Sequence, residues 1–118
     1  METKELENKL EGFIGTESYH KMFPFKTVFT DGVKCFADEA GAYWLLTDIN
    51  LFLHKSELGK QDFLCITLQV GDNNKADLVF DDGNDNVLFK RHYRFTDCPK
   101  GEWKFFYMDN VLMLPSEY

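Results

Sequence analysis

The stretch TDGVKCFADEAGAYWLL, Thr30 to Leu46, decides how the first half of this chain folds. An Asp-Gly pair between apolar runs, here Asp31-Gly32, is a strong signal for a two-residue hairpin turn. The residues after it argue for something else. Val33, Phe36, Ala37, Ala40 and Trp44 recur at helical spacing, whereas an alternating reading would put the charged Glu39 on one face with Val33, Cys35 and Ala37. The spacing predicts a helix over residues 32–52 with a break at Gly41. Ala37, Ala40, Gly41 and Ala42 give that helix a flat side that another backbone can approach closely. The stretch contains no catalytic motif and reads as packed scaffold.

Working outward, residues 3–10 form a short helix: Thr3 is the N-cap candidate, acidic residues fill the first turn, and Leu6 and Leu10 share a face. Gly12 and Gly15 end it. Residues 16–24 connect onward and close at Pro24, residues 25–29 form a short extended piece, and residues 54–61 read as a polar loop. From Phe63 the period becomes two, with Leu64, Ile66, Leu68 and Val70 alternating with Cys65, Thr67 and Gln69. Strands over 76–81 and 86–96 follow. Taking Gly83-Asn84 as a two-residue turn sets Leu78 opposite Phe89, Phe80 opposite Val87 and Asp77 opposite Lys90. Residues 102–108 and 111–114 flank another tight-turn pair, Asp109-Asn110, and Pro115 stops the pairing. The expected fold class is α+β, with N-terminal helices packed on one face of a four- to five-stranded antiparallel meander, in one domain over residues 1–118.

Composition narrows the function classes. The chain has 118 residues, enough for one core, and its 12 Phe point to an aromatic-heavy interior. Thirteen basic against 20 acidic residues give a net charge of −7, spread over both halves, so general nucleic-acid binding is not expected. Cys35, Cys65 and Cys98 are odd in number and form no CxxC pair, which suits free thiols in a reducing compartment. No run approaches the roughly 18 apolar residues of a membrane span. A cytoplasmic protein without membrane association is expected.

Candidate chemistry is sparse. The loop DDGNDN, Asp81 to Asn86, has its glycine at the third position and lacks a later bidentate Glu, so turn chemistry accounts for it better than calcium binding. His20, His54 and His92 fall in different elements, and no pair has metal-ligand spacing. There is no phosphate-cradling glycine loop, no serine elbow and no zincin helix. No cofactor and no catalytic or metal-binding residue is expected. Lys90, His92 and Arg94 alternate along one strand and form a candidate anion-contact stripe, with Arg91 on the opposite, phenylalanine-bearing face. In the last hairpin Trp103, Phe105, Tyr107, Leu112 and Leu114 share one face, and Phe106, Met108, Val111 and Met113 share the other. One helical layer cannot cover both faces. Phe106, Met108, Val111 and Met113 are therefore the candidate protein-contact surface.

FIGTESY (Phe13–Tyr19), FTDGVKCFADEAGAYWLL (Phe29–Leu46), DDGNDNVLF (Asp81–Phe89) and VLMLPSEY (Val111–Tyr118) together resemble a family of small uncharacterised bacterial proteins carried on plasmids, phages and integrative elements. The resemblance runs nearly end to end and implies a mobile-element accessory protein, without assigning an activity. Taken with the small size, the acidity and the aromatic-rich hairpin, it predicts a non-enzymatic protein that binds and inhibits or modulates a host or defence protein, of the anti-CRISPR or anti-restriction type. The partner would be a protein or a nucleoprotein defence complex, and self-association is open. The alternative is a homo-oligomeric accessory or ligand-binding module for plasmid or phage maintenance.

Overall fold

The structure, a computed structural model, describes residues 2–22, 25–55 and 57–118. The Thr30–Leu46 stretch is helical, and the Asp-Gly pair starts a helix instead of turning a hairpin. Thr30 is extended and accepts a hydrogen bond on its hydroxyl from the Val33 amide, so it caps helix α2, Asp31–Ala40. Gly41 takes a left-handed conformation with φ 62° and ends α2, and the Ala42 amide reaches back to the Ala37 carbonyl at 2.9 Å. Helix α3, Tyr43–Lys55, continues from there and buries Leu45, Leu46, Ile49 and Leu53.

Helix α1, Thr3–Leu10, buries Leu6 and half-buries Leu10. Glu2, not Thr3, sits at its cap position, because the Thr3 hydroxyl is drawn away to the Lys100 carbonyl. A strand over the connecting segment, β1 (Tyr19–Lys21), was not expected, and the short extended piece is β2 (Val28–Thr30). Pro24 lies outside the described residues, as does Ser56 within the 54–61 segment, where Glu57–Lys60 form a 3₁₀ turn.

The remaining strands are β3 (Leu64–Val70), β4 (Ala76–Asp81), β5 (Val87–Tyr93), β6 (Gly101–Met108) and β7 (Val111–Met113). Among the described residues the sheet has seven strands in the order β1-β2-β7-β6-β3-β4-β5, and the β2–β7 pair is parallel. This corrects the expected four- to five-stranded antiparallel meander. β3, β4 and β5 do run as consecutive hairpins, but β6 returns to pair with β3 on its far side, the arrangement of a Greek key. Polarity explains the order. β5 exposes Lys90, Arg91 and His92, which suits an edge, whereas β6 buries Trp103, Phe105 and Tyr107 and belongs inside the sheet. β1 and β2 are three residues each, too short for alternation to announce them.

The β4–β5 register is also shifted by two from the expected one. Leu78 lies opposite Arg91, Phe80 opposite Phe89 and Asp77 opposite His92. Gly83-Asn84 is not a two-residue turn, because Asp82 organises a longer loop. Its carboxylate accepts from the Asn84 amide at 2.8 Å and from the Asn86 side chain at 2.8 Å. The Asn86 side-chain bond and then the Asn84 amide hold the Asp82 carboxyl below its ordinary range.

The helices cover one sheet face. Phe36 of α2 packs 5.1 Å from Phe105 and 5.6 Å from Trp103, centroid to centroid. Phe52 of α3 meets Phe80 at 6.1 Å and Phe89 at 5.0 Å. Arg91 lies on this face too, its guanidinium 5.9 Å from the Phe52 ring and 5.6 Å from the Tyr93 ring, so it stacks on aromatics at the sheet edge. The Tyr93 hydroxyl donates to Asp48 at 2.7 Å, and burial followed by that bond pushes its pKa up.

Candidate protein-contact face

Among the described residues, the other sheet face carries no α-helix. Cross-strand register fixes which side chains share it: Met113, Phe106, Cys65 and Asp81 form one row, and Lys104, Thr67, Val79 and Lys90 the next. A third row runs Glu102, Gln69, Asp77, His92. Met108 and Val111 face each other beside the Asp109-Asn110 turn, whose residues take φ 52° and 64° as a type I′ turn requires.

The structure therefore brings together Phe106, Met108, Val111 and Met113, all half-buried. Part of their cover is the chain itself. Phe106 packs edge-on to Phe63 at 5.0 Å and to Tyr118 at 5.7 Å, and those two rings lie 6.0 Å apart. A concavity of about 520 Å³ adjoins this cluster, lined by Phe63, Cys65, Thr67, Asp81, Lys104 and Phe106 among others. Burial, and then the neighbouring Asp81 carboxylate, push the Cys65 thiol up.

The basic stripe is less coherent. Lys90 and His92 share the open face, but Arg94 follows the end of β5. His92 Nδ1 lies 2.9 Å from the Asp77 carboxylate, so the acid expected opposite Lys90 instead meets the histidine. Lys90 has the apolar Val79 across from it.

Sequence reasoning passed over a second cluster, at the start of α2. The Asp31 carboxylate accepts from the Glu17 amide at 3.1 Å and the Ser18 amide at 3.3 Å, and lies 2.8 Å from His20 Nε2. The His20 bond and then the Glu17 amide hold the Asp31 carboxyl below its ordinary range. One residue either side, the Thr30 hydroxyl donates to Glu117 at 2.6 Å and the Gly32 amide donates to the same carboxylate at 3.1 Å. A bound carboxylate satisfies a free amide at a helix start and suits the helix dipole there. Nothing in the local pattern of GTES, TDG or PSEY announces that these three segments converge.

The matched family says where this chain sits. Residues 4–118 match a family of unknown function, DUF6876. The chain belongs to that family. No curated protein and no solved structure matches it. The match spans both the open face and the cluster at the start of α2, so both are built within the family's domain. No helix among the described residues is long and apolar enough to cross a membrane, and no group of three or more His, Cys, Asp or Glu is placed to hold a metal ion there.

Proposed function

We propose that this domain is a non-enzymatic binding protein whose contact surface is the open sheet face around Phe106, Met108, Val111 and Met113. One observation carries the reading: four half-exposed apolar side chains share a sheet face that no α-helix among the described residues covers. The groups nearest to a catalytic arrangement support it as well. The Asp31 carboxylate that meets His20 is held by two amides of its own chain, and burial pushes the thiols of Cys35, Cys65 and Cys98 up, away from the nucleophilic thiolate. The finer reading, a mobile-element protein that inhibits or modulates a host or defence protein, is supported by the resemblance of its motifs and by the net charge of −7, which suits a basic partner surface.

The test is Phe106→Asp, compared with wild type by affinity purification and mass spectrometry from a host carrying CRISPR and restriction systems. Charge in the centre of an interface costs binding, whereas at a solvated position it costs little. The variant should keep its circular dichroism and lose a partner that wild type retains. Loss of self-association by sedimentation would move the reading to the homo-oligomeric module. A folded variant with an unchanged set of partners and unchanged mass would reject this face.

A further inference from the structure

β6 is paired unequally on its two sides. β3 runs beside it from Gly101 to Tyr107, but β7 pairs only with Phe106, Tyr107 and Met108. Met108 and Val111 flank a two-residue turn and exchange the hairpin's closing hydrogen bonds. Counting back by twos, the amides and carbonyls of Phe106, Lys104 and Glu102 point to the β7 side. Pro115 stands at the register position opposite Lys104 and has no amide to offer. The chain instead leaves the sheet: Leu114 is buried, and Pro115–Glu117 coil into a 3₁₀ turn. The edge of β6 at Glu102 and Lys104 thus meets no strand among the described residues.

That edge opens into a groove of about 400 Å³. Glu7 and Leu10 of α1, with Glu11 at its C-cap, form the far wall, and Trp103, Leu114 and Pro115 supply apolar surface. The rim is acidic: Glu7, Glu11 and Glu102 outnumber Lys104, and no basic side chain pairs with Glu7 or Glu11 among the described residues. Glu7 and Glu11 also lie toward the C-terminal end of α1, where the helix dipole adds negative potential.

We propose that this groove takes an extended, basic segment of a partner protein as an added strand along Glu102–Lys104 of β6. Main-chain hydrogen bonds to the unpaired edge supply the affinity, and the acidic rim selects the charge and speeds encounter. The site is the edge of β6 beside the open face, and it extends the binding-protein reading without resting on contacts to Phe106.

The test uses the full chain labelled with ¹⁵N and an amidated peptide of alternating lysine and valine. Controls are a glutamate–valine peptide and a lysine–valine peptide interrupted by proline, which keeps the charge but cannot complete a ladder. At a peptide concentration about ten times its Kd, amide exchange at Glu102 and Lys104 should slow about tenfold. Neither control should produce that protection. Glu7→Lys with Glu11→Lys, both at exposed positions, should weaken the peptide about tenfold. Equal shifts from the proline peptide would reduce the effect to charge attraction and overturn the proposal. So would protection of these two amides in the free protein, whether constant (the chain's own cover) or rising with protein concentration (a second copy).

Discussion

A methyl group on Gly32 would stand 2.5 Å from Oε1 of Glu117 and 2.6 Å from Leu114 Cδ1, so this position has no room for a side chain. Gly32→Ala must push the Glu117 carboxylate off the amide it caps, and overpacking of this kind costs about 1–3 kcal/mol, measurable by urea unfolding. Next door, Asp31 gives stability a pH dependence. Its carboxyl is held below the ordinary range in the fold, chiefly by His20, so the unfolded chain binds the proton more readily. Its contribution is complete above the unfolded aspartate value and is lost as pH falls through the depressed native one. Stability measured from pH 6 down into the acid range should therefore decline less steeply in Asp31→Asn than in wild type. At neutral pH the variant should be the weaker protein, because it keeps an amide where two backbone amides and a histidine call for an anion. Equal slopes for the two proteins would remove Asp31 from the acid response.

At the scale of elements, the loop between β4 and β5 shows what one carboxylate does to register. Asp82 gathers the Asn84 and Asn86 amides and the Asn86 side chain, and the five-residue connection that results slides β5 by two positions. Asp82→Ala removes these acceptor bonds and should lower the midpoint of urea unfolding. The same engagement leaves little of that carboxylate for an ion, so EDTA should leave the melting temperature unchanged. A stabilising effect of calcium would contradict this account. The two-residue slip also explains a limit on reading this chain from sequence. Period two told which residues of β5 share a face, and a slip of two preserves the faces, so either register satisfies the alternation. Helical spacing at Val33, Phe36, Ala37 and Ala40 correctly outweighed the Asp-Gly signal, because Thr30 before it is an N-cap. The division of the last hairpin into Phe106, Met108, Val111 and Met113 against Trp103, Phe105, Leu112 and Leu114 was legible for the same reason, since it depends on alternation alone. Strand order, the parallel β2–β7 pair and the Asp31–Glu117 cluster were not. They depend on contacts between residues as far apart as Thr30 and Glu117, which no local period records.

Across the whole molecule, the last residues of this sequence link the two sides of the sheet. Leu114 enters the core, Glu117 binds the start of α2, and Tyr118 packs against Phe63 and Phe106 on the open face. The cover over the candidate contact face is therefore held by an anchor on the other side. Tyr118→Ala removes two edge-on ring contacts and should cost about 1 kcal/mol while baring Phe106. Glu117→Ala leaves the Gly32 amide and the Thr30 hydroxyl without their acceptor and should cost about 2 kcal/mol. If the segment acts as one strap, releasing the anchor also frees the ring. Glu117→Ala should then raise the fluorescence of an apolar dye such as ANS as much as Tyr118→Ala does. The double variant should fall short of the sum of the two stability losses, because the ring contact is already gone once Glu117 is removed. Additive losses, with dye binding raised by Tyr118→Ala alone, would show that the ring holds its place without the anchor. The open face would then be covered independently of α2.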